Sequence, residues 1–289
     1  MPQPTTFNDR LDAYFEMISP VEKIVARFFQ ENREEVLISS ASSLAKQAGA
    51  SDATVVRTAK ALGFSGLEDL RRTLAREIRD NTSPASRMAR TISEVGSDLD
   101  SALQVTLDIN QASLEGLRKD ISPELFEATV RSVVDARRVL IFGIGPSSAM
   151  ADYMSNGLGR LGLETISLTQ TGLLLADKIQ HFRQGDLLAI FAYGQVYREL
   201  AVMLDQADLH KMPTLLFSDT LGVKLHHRVT RVLPVARGRM NMLSMHTATL
   251  ALIEAIMVGV AMKRSKESLA SLEGLSQIRT ALNEKPTGL

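Results

Sequence analysis

The chain has 289 residues, and its 33 lysines and arginines match its 33 aspartates and glutamates, so the formal net charge is zero. A hydrophobic content of 45% with 23% charged residues excludes a fibrous repeat and disorder along the whole chain. The length predicts about two domains, each able to bury its own core. The absence of cysteine excludes a disulfide framework, a thiol nucleophile and a cysteine-ligated zinc, and it fits a reducing, cytoplasmic setting. Zero net charge excludes a general polyanion binder, so any nucleic-acid contact must come from a local basic face.

The start, Met1 to Arg10, is polar with two prolines and is not expected to be a secretory signal. Ser19-Pro20 reads as an N-cap with proline at the first helical position, and the helix after it sets Ile24, Val25, Phe28 and Phe29 on one face. Leu44, Ala45 and Ala48 predict a second helix that Gly49 ends. Ser51 caps a third, holding Ala53, Val55, Val56, Ala59 and Leu62, with Gly63 as its stop. A fourth runs from about Leu67 to Ile78. Residues 1–80 therefore read as an all-α helix-turn-helix bundle.

Residues 81–124 form a polar, helix-prone connector, broken at Ser83-Pro84 and Gly96. Leu99, Leu103, Leu107, Leu114 and Leu117 predict a long bridging helix that packs on something. Residues 125–289 alternate strand and helix. The expected strands are Val139–Phe142, Thr165–Leu168, Asp186–Phe191, Thr214–Phe217 and Val229–Val235, with helices to about Leu161 and from about Arg198 to Ala207. That alternation means an α/β domain, a parallel sheet covered by helices on both faces. The most apolar window, Leu243 to Met262, carries His246 and Glu254, so it reads as a core helix packed on the sheet, from Ser244 to Lys263, and not as a membrane span.

Two constellations carry chemistry. In the first, Ala41–Ala48, a turn with Gly49, and Asp52–Leu62 have the layout of a helix pair whose second member enters a major groove. Arg57 is suited to a guanine edge or a phosphate. Ser51 and Thr54 could position phosphates, Thr58 and Lys60 share the polar face, and Lys46, Arg71 and Arg72 flank the backbone. A solvated helix face would carry the same residues, and Asp52 opposes a polyanion. In the second, Gly143-Ile144-Gly145-Pro146-Ser147-Ser148 follows an apolar strand and opens a helix, which leaves free backbone N–H groups for an anion. A tight turn without a ligand explains it too. Gly159 stands too far on for a dinucleotide fingerprint and Pro146 does not fit one, so no cofactor and no metal are expected.

Ala50-Ser51-Asp52-Ala53-Thr54-Val55-Val56-Arg57, then Leu62-Gly63-Phe64-Ser65-Gly66-Leu67 and Leu70-Arg71, resemble the amino-terminal domain of the RpiR/MurR family of bacterial transcription regulators, whose pattern is V-S-x-A-T-V-V-R followed by L-G-F-x-G-F-x-x-L-R. Thr58 departs from it, since the family has Phe there. The second half resembles the SIS (sugar isomerase) domain of such regulators: Gly143, Gly145, Ser147 and Ala151 match its first loop, G-x-G-x-S-x-x-x-A. Its second loop, S-x-S-G-x-T-x-E, is altered. Here the run is Ala192-Tyr193-Gly194-Gln195-Val196-Tyr197-Arg198-Glu199, so three hydroxyls are gone and Glu199 alone is kept. Each lost hydroxyl removes a charge-assisted bond worth about 1.5–3 kcal/mol, which argues against a phosphosugar grip of the usual kind.

The resemblance implies a DNA-binding regulator whose SIS-like domain senses a small-molecule effector, a carbohydrate derivative, and pairs copies into a homodimer or homotetramer on a palindromic operator. The ligand residues would be Gly143, Gly145, Ser147, Ser148, Tyr193, Gly194, Gln195, Tyr197 and Glu199. Ser218-Asp219-Thr220, Arg237, Arg239 and His246 stand near by place alone. The alternative is a SIS-type sugar-phosphate isomerase with an appended helical domain. None of His181, His210, His226, His227 and His246 sits in a catalytic pattern, so no enzyme is expected. A third reading is a regulator whose second domain only dimerises.

Overall fold

The computed structural model describes residues 6–283, with the side chains of Glu34 and residues 76–82 outside that description. Most of the polar start, Met1–Thr5, lies outside the described residues. The chain divides into two compact units between Glu94 and Val95, so the two halves of the expected connector fall in different units.

The first unit is all helix: α1 (Phe7–Tyr14), α2 (Pro20–Glu31), α3 (Arg33–Ile38), α4 (Ala41–Gln47), α5 (Asp52–Ala61), α6 (Leu67–Thr82) and α7 (Pro84–Val95). Helix α2 starts as its sequence predicts. Ser19 and Glu22 bond reciprocally across its first turn, and Pro20 needs no N–H there. Val25 and Phe29 are fully buried, whereas Ile24, expected beside them, is exposed. Helices α1 and α3 were not predicted. Phe7 and Leu11 of α1 are buried, and Phe7 stacks on Phe64 with ring centroids 6.3 Å apart. The core joins these to Val36, Leu44, Val55, Ala59, Leu62, Leu70 and Leu74.

The second unit opens with α8 (Leu99–Asp120) and α9 (Pro123–Asp135). The predicted long helix is present, started by Asp98. The helix packs on α14 as expected, and Leu117 meets the core, but its other four leucines do not. Leu99, Leu103, Leu107 and Leu114 are exposed, and Ile109 and Ser113 are the buried pair. Leu107 and Ile109 are two residues apart, about 200° around a helix, so both cannot face the same neighbour.

The sheet follows. Its elements are β1 (Arg138–Phe142), α10 (Ser148–Arg160), β2 (Thr165–Leu168), α11 (Gly172–Ile179), β3 (Asp186–Phe191), α12 (Arg198–Leu209), β4 (Thr214–Ser218), α13 (Leu221–Leu225) and β5 (Arg231–Pro234), then α14 (Thr247–Lys263) and α15 (Ser265–Asn283). All strand pairs are parallel, in the order β2-β1-β3-β4-β5. Alternate side chains serve two cores. Val139, Ile141, Leu187, Ala189, Phe191, Leu215 and Phe217 share one with residues of α9, α10 and α14. Leu140, Phe142, Leu188, Ile190 and Leu216 share the other with residues of α11, α12 and α13. This is why the strands read as unbroken apolar runs. Helices α11, α13 and α15 were not predicted, and the expected last helix, Ser244–Lys263, begins at Thr247 and is followed by another. Helix α14 is apolar all round and packs on α8, α9 and α10. Among the described residues no helix is long and apolar enough to cross a membrane.

Candidate nucleic-acid interface and ligand site

Helices α4 and α5 end with the same device. At the end of α4, Ala50 N–H donates to Ala45 O at 2.8 Å and Gly49 N–H to Lys46 O at 3.4 Å. At the end of α5, Phe64 N–H donates to Ala59 O at 3.1 Å and Gly63 N–H to Lys60 O at 2.9 Å. This double bond pattern needs a left-handed residue, and Gly49 and Gly63 have φ of +66° and +79°. Ser51 starts α5 by accepting Thr54 N–H on its Oγ at 3.2 Å. The short turn and both helix ends are therefore set locally, as their glycines and serine predict.

Packing then sorts the expected contact residues. Lys46, Ser51, Arg57 and Lys60 are exposed. Thr58 is completely buried, and its hydroxyl donates to Thr54 O at 2.8 Å. It cannot reach a nucleic acid, which corrects the expectation drawn from its polarity: a threonine can satisfy its hydroxyl on its own helix and present only its methyl to the core. Thr54 is buried as well, with Ser51 Oγ 2.8 Å from its hydroxyl. Arg71 is also corrected. It donates Nε to Val36 O at 2.9 Å and Nη2 to Ser39 O, and its Nη1 meets Glu68 at 2.5 Å, so it ties α6 to the end of α3. Of the apolar residues that mark this helix in the sequence, Val55, Ala59 and Leu62 are buried, whereas Ala53 and Val56 are on the outside.

Arg57 is steadied from two sides. Its Nη2 lies 3.3 Å from Thr54 Oγ1, and its Nε is 3.8 Å from Glu22 of α2. The Glu22 carboxyl is held below the usual carboxylate range by the Ser19 backbone N–H and hydroxyl, and further by the Arg57 charge. Sequence reasoning missed this role for Glu22. The cap motif identifies the residue but not the neighbour that α2–α5 packing brings to it.

In the second unit the two loops are neighbours. β1 and β3 pair with Phe142 opposite Ile190, so the chain leaves both strands side by side at their carboxyl ends. There the strand order reverses, which is where ligands bind in open α/β sheets. Gly143 has no room for a side chain, since a Cβ would lie 2.3 Å from Ser147 O. Gly145 has φ of +59° and opens the turn into α10. Ser147 is buried, and Ser148 donates its hydroxyl to Gly145 O at 2.8 Å. On the second loop Gly194, Gln195 and Tyr197 are exposed, and Glu199 lies in the first turn of α12.

Tyr193 does not line a loop surface as expected. It is 6% exposed, and its hydroxyl lies 3.0 Å from Thr249 Oγ1 of α14. Strand alternation explains this: Phe191 and Tyr193 both point into the core under α14. Burial pushes the Tyr193 phenol up to about 12, so it stays protonated. The Arg237 guanidinium lies 4.0 Å from its ring centre and 3.2 Å from Asp219, and His246 meets its edge at 6.0 Å. Both His246 ring nitrogens and Ser218 Oγ are buried without a hydrogen-bond partner among the described residues. A separate cavity of about 410 Å³, lined by Tyr153, Gly157, Leu161, Met257 and Val258 among others, contains none of the expected ligand residues.

Residues 8–81 match the family model described as a helix-turn-helix domain of the rpiR family. An uncharacterised HTH-type transcriptional regulator of Clostridium perfringens is 29% identical over 152 residues, 52% of this chain and 53% of that one. The chain spans about half the length of the curated relatives it matches. Among solved structures, the Vibrio vulnificus NanR protein complexed with ManNAc-6P has a TM-score of 0.60 at 23% identity, covering 97% of this chain and 100% of that one. The sugar isomerase domain of an RpiR transcription factor from Sphaerobacter thermophilus has a TM-score of 0.56 at 24% identity, covering 61% of this chain and 98% of that one. Residues 8–81 thus form a helix-turn-helix domain of the rpiR type, and the carboxyl-terminal domain has the sugar isomerase domain fold.

Proposed function

We propose that the protein is a DNA-binding transcription regulator whose second domain senses a small carbohydrate derivative. The observation that carries this reading is the exposed Arg57 and Lys60 on the second helix of an rpiR-family helix-turn-helix. Lys46, Ser51, Arg57 and Lys60 form the duplex contact, and Thr54 and Arg71 support it from within. The effector lies at the β1–β3 reversal, against Gly143, Gly145 and Ser148 on one loop and Gly194, Gln195, Tyr197 and Glu199 on the other. Ser147 and Tyr193 shape that site from below.

The NanR protein was solved with ManNAc-6P. A carbohydrate derivative is the natural effector class here too, with less reliance on phosphate because Ala192, Gly194 and Tyr197 replace the hydroxyls of the second loop. The exposed leucines of α8 support pairing of two copies, since an apolar stripe on a surface helix marks an interaction face. A paired regulator reads a palindromic operator in the cytoplasm. The second domain acts as a sensor and not an isomerase: Ala192, Gly194 and Tyr197 stand where the second loop would hold two serines and a threonine, and His246 is buried against Tyr193.

The test is mobility shift of the protein's own promoter fragment at low ionic strength, with and without ManNAc-6P and its unphosphorylated parent, alongside melting-point titration. A shift that Arg57→Ala weakens, and a ligand that raises the melting point, are expected. No shift of any fragment sinks the DNA reading, and turnover of a sugar phosphate sinks the sensor reading.

A further inference from the structure

Four residues of α5 share its outward face at helical spacing: Ala53, Val56, Arg57 and Lys60, which are i, i+3, i+4 and i+7. The inward face is complete without them, since Thr54, Val55, Thr58 and Ala59 fill it. Two of the four outward residues are apolar. Val56 is 36% exposed, and neither it nor Ala53 joins the core of its unit. Valine is a poor choice for a solvated helix position, because its branched side chain loses rotamer freedom there and gains nothing from water. The cations beside it make another apolar protein surface an unsuitable partner. Apolar groups framed by cations instead complement a surface with anionic walls and a small apolar floor.

A major groove is such a surface. Phosphates line its rims, and the one apolar group that base edges present in it is the C5-methyl of thymine. We infer that Val56, with Ala53, reads thymine methyl groups in the half-site, beside the base pair or phosphate that Arg57 engages. This rests on the DNA-binding reading above and adds the base class that the helix selects. Ala53 and Val56 are three residues apart, about 4.5 Å along the helix axis. That is little more than one base-pair step of about 3.4 Å, so the two side chains cover a single step.

The experiment needs no prior operator. The full chain is used to enrich binders from a random-sequence duplex library, and each thymine of the enriched site is then replaced singly by deoxyuridine, which removes only the methyl. At one or two positions per half-site the uracil duplex should bind about fourfold more weakly for each methyl lost. Val56→Ala should lower affinity for the thymine duplex and bind thymine and uracil duplexes equally at its position. Its circular dichroism should be unchanged because the side chain is outside the core. An enriched site indifferent to every uracil replacement overturns the inference while leaving DNA binding intact. A thymine effect of the same size in wild type and Val56→Ala assigns the methyl to another residue and also overturns it. No enriched sequence overturns the DNA reading, and this inference with it.

Discussion

Glu22 Oε1 lies 3.8 Å from Arg57 Nε, so the residue that completes the cap of α2 also restrains the principal cation of α5. One carboxylate joins the start of one helix to the working face of another. Replacing it with Gln should cost about 1 kcal/mol of stability through the weakened cap and helix-dipole interaction. It should also raise affinity for non-specific DNA, because an acid near the polyanion is gone, while discrimination falls because Arg57 is freer. Urea titration and binding competed with calf-thymus DNA measure the two effects. Unchanged discrimination would show that the pair does not orient Arg57.

Arg57→Ala should weaken operator binding by roughly 1–3 kcal/mol and relax preference at one position. Lys60→Ala should weaken all sequences alike and reduce the slope of log K against log salt by about one. A slope that stays the same places Lys60 away from the phosphates.

Thr58→Val should leave DNA affinity as it is and change stability by no more than about 1 kcal/mol. Its hydroxyl makes one bond, to Thr54 O of its own helix, and that carbonyl keeps its helical role. A marked loss of binding with intact folding would return Thr58 to the interface.

Asp186→Asn should destabilise the second unit by about 3–5 kcal/mol. The Asp186 side chain is fully buried and receives Arg137 Nη2 at 2.6 Å, Arg138 Nη2 at 2.8 Å and the Arg183 N–H at 3.2 Å. Removing the charge leaves two guanidinium groups without their anion, Arg138 being largely buried itself. Denaturant unfolding of the variant is the measurement.

Stability should fall as the medium is acidified past the ordinary histidine value of 6.5, in part through His246. Burial, and then the nearby Arg237 charge, hold its folded-state pKa below that value. The unfolded chain therefore takes up the proton first, so stability is fully present above 6.5 and is lost as pH falls toward the depressed folded value. His246→Phe should flatten the change in urea midpoint between about pH 7 and about pH 5. An unaltered profile would place the titrating group elsewhere.

Local chemistry was the legible part of the molecule. Ser19-Pro20-Val21-Glu22, Gly49, Ser51 and Gly63 act on backbone groups within a few residues, so their roles follow from spacing alone. The strands were legible because burial on both faces makes them apolar throughout, and Asp186–Phe191 has the predicted bounds. Helix α1 was overlooked although Thr6 and Asp9 form a capping box and Phe7 and Leu11 are one turn apart. The polar residues around Phe7 and Leu11 mask that signal in the sequence. Helices α11 and α13 are short, and their ends carry no side-chain cap.

The sequence by itself determined that a capped helix pair precedes a parallel α/β domain, and it placed a glycine turn after the first strand, because caps, turns and strand composition are set by neighbours along the chain. Only the tertiary structure decided which side of each element meets the core. It turned Thr54, Thr58 and Tyr193 inward and Ala53, Val56 and four of the five leucines of α8 outward. It also brought Glu22 to Arg57 and Arg237 to Tyr193. The physical reason is that polarity does not define a face. A threonine can satisfy its hydroxyl on its own helix and a tyrosine on a facing threonine, so either can be buried, and a valine left outside shows its purpose only when the surface around it is known.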